Sequence, residues 1–207
     1  MFERHDILEV RPPEGIDSFF TRKPGKLWCV GDPVILKSKL LGIVSARNID
    51  PELALRTSEL LRQLARVDNL SFIGGWHSPL EEEALRILLV HRVRVIFCLP
   101  KDLRRFVPSS EVRNRIRDGR LLLLTHCSPK AKRISRDASL RRNLLVAAVS
   151  QGLLVLAAPP GSRSLKLAQK AISLGRPVFT PQHRMNERLL SSGALPATVE
   201  NIQRLFQ

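Results

Sequence analysis

Residues 153–180 read LLVLAAPPGSRSLKLAQKAISLGRPVFT, and this stretch decides the fold. Residues 153–157 form an unbroken apolar run of strand length, and residues 177–180, apolar up to Thr180, form a second strand candidate. Between them Pro159, Pro160 and Gly161 interrupt the chain. Residues 164–174 then carry apolar side chains at helical spacing up to Gly175, which is placed to end the helix. Two nearly all-apolar strands joined through a helix make a βαβ unit, with parallel strands covered on both faces.

The same alternation runs upstream. Apolar segments 40–44, 70–73, 93–99 and 121–125 read as strands. Segment 51–66 reads as a helix with Leu53, Leu60, Leu61 and Leu64 on one stripe, Asp50 as N-cap and Pro51 in the first turn. Segment 139–151 reads as another, ending at Gly152. The pattern predicts an α/β fold: a doubly wound, mostly parallel, Rossmann-like sheet with right-handed crossovers, over residues 39–207. Residues 1–38 are broken by Pro12, Pro13, Gly15, Pro24, Gly25 and Gly31, and are expected to form an N-terminal extension packing on that core. Within it, 27–30 and 34–36 are expected to pair as a hairpin around Gly31-Asp32-Pro33.

A chain of 207 residues buries one substantial core and is short for two ordinary domains. It has no apolar run approaching the roughly 18 residues of a membrane span, and its first ten residues are charged rather than leader-like. Cys29, Cys98 and Cys127 are odd in number and widely spaced, which favours reduced thiols over a disulfide framework. Together these features predict a cytoplasmic protein without a membrane partner. Charge is the strongest global signal: 34 Lys and Arg against 19 Asp and Glu give +15. Most of the excess falls between Arg92 and Arg142, where 15 basic residues face 4 acidic ones. Such a sector attracts polyanions. With no Tyr and few Phe and Trp, the grip is expected mainly on phosphates.

In an open parallel sheet the ligand crevice lies beyond the carboxyl ends of the strands. Four clusters fall there. Ser45 and Arg47 follow the first core strand, and Gly74, Gly75, Trp76 and His77 follow the second. Arg141, Arg142 and Asn143 are placed at a helix start, and Ser162, Arg163 and Ser164 precede the helix of the opening stretch. Hydroxyls, glycines and guanidiniums at helix starts suit an anion, because free backbone N–H groups and the helix dipole favour negative charge there. Of the aromatics, Trp76 is the better placed to touch a base.

The order of these clusters resembles the Rossmann-type domain of the DNA-processing protein A (Smf) family, within the wider group that includes the Lonely Guy proteins. The resemblance runs from about Gly31 to Ala194. Leu41–Arg47 stands where the family has a strand ending Gly-Ser-Arg, and Arg142-Asn143-Leu144 where it has Arg-Asn-Arg. Ser162-Arg163-Ser164-Leu165, Gly175-Arg176 and Asn186–Ala194 follow in the family's order. The resemblance implies binding of single-stranded DNA through its backbone, self-association as a homodimer, and hand-over of the strand to a recombinase during DNA uptake. It implies no catalysis and no cofactor. Apolar residues 195–206 are a candidate homodimer surface.

Several positions depart from the family. Its Ser-Gly-x-Ala-Arg-Gly-Ile-Asp loop is replaced by Gly74-Gly75-Trp76-His77-Ser78-Pro79-Leu80-Glu81. Ser78 and Glu81 make a capping box, and Glu81, Glu82 and Glu83 put carboxylates on a helix start, which should repel a phosphate by up to about 1 kcal/mol each. These carboxylates read as a solvated first turn. Arg141 is placed to substitute for the Arg that Leu144 replaces, and His126-Cys127 stands where the family has Ser-Glu. The sterile-alpha-motif-like and winged-helix domains of the family are not expected in this chain. The histidines lack paired ligand spacing, so a metal is not expected. The serines lack a nucleophile motif, and residues 158–164 lack the Thr and Glu of the Lonely Guy hydrolase signature. The expected function is therefore a non-enzymatic binder of single-stranded DNA or another polyanion. The alternatives are a degenerate nucleotide sensor or nucleotide hydrolase of the same fold group, and a structural partner with an empty crevice.

Overall fold

The structure, a computed structural model, describes residues 6–22, 24–48, 50–128 and 135–207. Nine strands form one sheet: β1 (Leu8–Val10), β2 (Leu27–Val30), β3 (Lys39–Val44), β4 (Leu70–Gly74), β5 (Val95–Leu99), β6 (Leu121–Thr125), β7 (Gly152–Val155), β8 (Val178–Thr180) and β9 (Leu195–Pro196). Their order is β1-β2-β6-β5-β4-β3-β7-β8-β9, with β3 to β9 mutually parallel and β1 and β2 antiparallel at one edge. The connecting helices are α1 (Pro51–Leu64), α2 (Pro79–Val90), α3 (Ser110–Arg117), α4 (Arg136–Val149), α5 (Arg163–Ser173), α6 (Glu187–Ser191) and α7 (Val199–Arg204). The α/β, doubly wound reading is what the structure shows.

Every residue of β4, β5 and β6 is buried, and alternate side chains serve opposite cores. Leu41, Ile43, Phe72, Phe97 and Leu123 pack under α1, α2 and α7, while Ile73, Ile96, Cys98, Leu122 and Leu124 pack under α4 and α5. From β3 the chain winds outward to β6, then returns through α4 to β7 on the other side of β3. That reversal is a topological switch point, where adjoining loops diverge and leave a crevice. Helix α5 ends as expected: Gly175 (φ +73°) donates to Ile172 O and Arg176 N–H to Ala171 O, a Schellman pair.

Some local expectations are corrected. Residues 27–30 are a strand, but they pair with β1 and β6. Residues Pro33–Lys37 instead form a 3-10 turn capped by Asp32, whose carboxylate accepts Val34 N–H at 2.9 Å. Gly31 makes the exit from β2: it sits at φ +110°, and a Cβ there would lie 2.6 Å from Leu121 O. Gly152 caps nothing. Helix α4 ends at Val149, and Gly152 opens β7, where a Cβ would collide with Leu205 Cδ2 of the C-terminal segment at 2.3 Å. Of the apolar residues in 195–206, Leu195 is exposed, whereas Ile202 is buried and Leu205 and Phe206 pack on the core. Among the described residues, no helix is long and apolar enough to cross a membrane.

Candidate nucleic-acid interface

Loops leaving the carboxyl ends of β3, β4, β5 and β7, together with the first turns of α4, enclose a crevice of about 860 Å³. Ser45, Arg47, His77, Arg142, Asn143, Ser162, Arg163 and Ser164 all line it, joined by Lys101, Phe106 and Arg136. Arg47 and Arg163 are exposed, with no ion-pair partner among the described residues. The sheet thus brings together cations that lie more than a hundred residues apart in the chain.

Arg142 is the unusual member. Its side chain is only 5% exposed, and Nε and Nη1 are buried without a hydrogen-bond partner. Burial lowers its pKa, opposed by the nearby carboxylate of Glu81, yet no ion pair closes between them. Gly75 makes its seat: a Cβ there would fall 1.6 Å from Arg142 Nη1. A desolvated guanidinium with unpaired donors is costly in a fold and strong toward an arriving oxyanion.

Glu81 is not solvated. It is buried and its carboxylate accepts Ser45 N–H at 2.8 Å and His77 N–H at 2.9 Å, besides closing the capping box with Ser78. Burial raises its pKa, against those two N–H groups and the charge of Arg142. The backbone donors that end β3 and begin the α2 loop are therefore already satisfied by the protein's own carboxylate. The backbone donors expected to form a helix-start phosphate site at Gly74-Gly75 are occupied, which leaves the side chains of Arg47, Arg142 and Arg163 as the cationic groups of the crevice.

Three sequence-selected positions stand away from the crevice. Gly74 lies under the Trp76 ring, Gly75 under Arg142, and Arg141 turns outward to donate to Arg22 O at 3.2 Å. Arg142 is not at a helix start either, because α4 begins seven residues after Pro129, at Arg136, under an N-cap from Ser135. Trp76, at φ +54°, folds back and donates Nε1–H to Ile96 O, so it faces the core rather than a base. The aromatic wall of the crevice comes instead from Phe97 and Phe106, with ring centroids 5.6 Å apart, and from His77 edge-on to Phe97 at 6.3 Å. Lys101 Nζ lies 5.2 Å over the Phe106 ring. Phe97 lies in a strand legible from its apolar run, whereas Phe106 follows a 3-10 turn outside any periodic segment and carries no such signal.

The hydroxyls are engaged locally. Ser162 Oγ caps α5 by accepting Leu165 N–H, and buried Ser164 donates to Ala157 O at 2.8 Å. Elsewhere His183, Asp50 and Glu52 converge, but each is spent: His183 Nδ1 accepts Met185 N–H, Asp50 caps α1 and pairs with Arg184, and Glu52 pairs with Arg56. This cluster ties the start of α1 to the loop after β8. Lys130, Lys132 and Arg133 of the basic sector lie outside the described residues.

His77 opens onto the crevice, where desolvation and then the charges of Arg142, Lys101 and Arg47 lower its pKa from 6.5 to about 4. His126 is lowered likewise to about 4, mainly by burial. Both are neutral in the folded protein at pH 5, while their unfolded counterparts are mostly protonated. The unfolded state therefore binds more protons between about pH 6.5 and 4, and stability falls as pH drops through that window. Glu81, with its raised pKa, acts in the opposite sense. The thermal midpoint is expected to be lower at pH 5 than at pH 7, with a smaller difference in a His77→Gln/His126→Gln variant.

Taken together, the switch-point crevice and its convergent guanidiniums define a Rossmann-type protein with a cationic cleft at the carboxyl ends of its strands. The chain belongs to the DNA recombination-mediator protein A family, whose model matches residues 9–202. Among solved structures it is similar to DNA processing protein A of Streptococcus pneumoniae (TM-score 0.80, 20% identity, 96% of this chain and 74% of that one). It is also similar to DNA processing protein A of Helicobacter pylori, described for its single-stranded DNA binding mode (TM-score 0.76, 24% identity, 96% and 93%). A more distant fold relative is a molybdenum cofactor binding protein of Rippkaea orientalis (TM-score 0.58, 14% identity, 82% and 98%). A search of curated proteins finds no match. At these identities the structural likeness is one of fold.

Proposed function

We propose that this protein binds single-stranded DNA by its phosphates in the switch-point crevice and acts in DNA recombination without catalysing a reaction of its own. The observation that carries this is Arg142, a buried guanidinium with two unpaired donors, which lines a crevice rimmed by Arg47, Lys101, Arg136 and Arg163. Family membership supports the same reading, as does the binding described for the Helicobacter pylori relative. Glu81 supports a strand over a mononucleotide: it occupies the backbone donors that would cradle a terminal phosphate. The aromatic wall of Phe97, Phe106 and His77 suits base contact of a sequence-tolerant kind. The engaged Ser162 and Ser164 hydroxyls support binding over nucleophilic chemistry. Self-association and delivery of the strand to a recombinase belong to the same proposal, as does a cytoplasmic location.

Salt titration tests it. An oligothymidine gripped at several phosphates should lose affinity as salt rises, with a log–log slope of about 0.7 per phosphate neutralised. A slope below about 1 for the oligomer, with a mononucleotide binding as tightly, would replace the strand by a small nucleotide.

A further inference from the structure

The crevice accounts for only part of the basic excess. Arg92, Arg94, Arg113, Arg115, Arg117 and Arg120 belong to the same Arg92–Arg142 sector but lie at the opposite end of the sheet, around the amino ends of β5 and β6. There the turns entering β4, β5 and β6 run side by side, in the order set by the sheet, and enclose a depression of about 430 Å³. Four guanidinium-bearing residues line it: Arg66 from the first turn, Arg92 and Arg94 from the second, and Arg120 from the third. Asp68 and Asp118 are the carboxylates in the same lining, and neither forms an ion pair among the described residues.

These arginines divide into two groups by what they already do. Arg120 Nη1 donates to Arg92 O at 2.6 Å, and Arg115 adds a side-chain bond to Leu89 O, which also accepts Arg92 N–H, so both tie down the end of α2. Arg66, Arg92 and Arg94 are exposed, and their side chains have no partner among the described residues. Arg92 also sits at φ +58°, a left-handed conformation that a long side chain adopts at a cost and glycine would adopt freely. A concave surface with unpaired guanidiniums from two adjacent turns matches the repeating single charges of a phosphodiester chain, because arginine presents a planar fork to each phosphate.

We propose that this depression is a second phosphate-contact site, which engages another segment of single-stranded DNA at the end of the sheet opposite the crevice. The identity of the ligand rests on the reading given under Proposed function; the existence of the site does not. The two sites are separated by at least the length of β4, about 16 Å for its five residues. A short oligomer held in the crevice therefore leaves the depression free, and a long strand is able to reach both.

The test is calorimetry at low salt on the full chain, with an oligothymidine of about 10 nucleotides, a length within the site size of single-strand-binding folds. The variant is Arg66→Glu/Arg94→Glu, which spares the capping residues Arg115 and Arg120. The parent is expected to bind two oligomers per chain and the variant one, with the remaining affinity changed less than about twofold and the thermal midpoint retained. For a long oligomer, the salt slope is expected to fall by about 1.4 in the variant, two phosphates at about 0.7 each. One oligomer per chain in the parent that the variant still binds, or an unchanged stoichiometry and slope in the variant, overturns the proposal. If Arg47→Ala/Arg142→Ala leaves binding intact while Arg66→Glu/Arg94→Glu abolishes it, the crevice reading fails and the depression stands.

Discussion

Replacing Arg47 and Arg142 together by alanine is expected to weaken oligothymidine binding by about a hundredfold, equally for different base sequences. A hydrogen bond to a charged phosphate is worth about 1.5–3 kcal/mol, so the pair supplies about 3 kcal/mol, or two decades. The salt slope should fall by about 1.4, because two phosphate contacts are removed. Most of the loss should come from Arg142, since its donors are desolvated while Arg47 is exposed. Gly75→Ala gives a check that leaves Arg142 in the chain. Its Cβ would stand 1.6 Å from Nη1 and 2.2 Å from Cζ, so the guanidinium must leave its seat, while the backbone at Gly75 needs no left-handed φ. Gly75→Ala should therefore reproduce Arg142→Ala, and the two combined should add less than about 0.5 kcal/mol, as changes acting through one group do. The thermal midpoint of Arg142→Ala is expected to fall, because the buried Glu81 carboxylate loses the nearby positive charge that favours its ionised form. The fall should be smaller at pH 5, where protonating Glu81 removes part of the uncompensated charge. Oligothymidine affinity that is unchanged in Arg47→Ala/Arg142→Ala would remove the crevice from the mechanism.

The strands of the core were legible because each is apolar on both faces, so residues 40–44, 70–73 and 121–125 stood out whatever their loops did. The convergence of Ser45, Arg47, Arg142 and Ser162–Ser164 followed from topology alone, since parallel strands deliver all their carboxyl ends to one edge. What escaped was set by individual side chains. Arg141 and Arg142 are adjacent in sequence, but 100° of helix rotation turns one toward Arg22 and the other into the crevice. Trp76 looked like a crevice aromatic until its left-handed backbone returned the ring to Gly74. Glu81 looked solvated because a run of three glutamates at a helix start usually is; its burial depends on Ser45, which is 36 residues away. The 27–30/34–36 hairpin failed because β2 had better partners on both sides, in β1 and β6.

Asn186→Ala is expected to be the most destabilising single change near the site. Its amide is fully buried, and all its bonds go to backbone: Oδ1 accepts Ala158 N–H at 2.8 Å, and Nδ2 donates to Leu156 O at 3.1 Å and Pro181 O at 3.0 Å. Alanine leaves one buried donor and two buried acceptors without those partners, at about 1–3 kcal/mol per group and less where a carbonyl keeps its ladder bond. A total of about 4 kcal/mol corresponds to a fall in thermal midpoint of about 8–16 °C for a domain of this size. Asn186→Asp should do no better, because it keeps the acceptor, loses both donations and buries a charge. The consequence reaches the crevice, because Ala158 begins the turn that delivers Ser162, Arg163 and Ser164. Well below its melting point the alanine variant should bind oligothymidine with a faster dissociation rate and a retained salt slope, since the contacts persist but their carrier is loosened. A thermal midpoint within 2 °C of the parent, which is about 1 kcal/mol or less, would show that the turn is held by its two prolines and the α5 cap rather than by this amide.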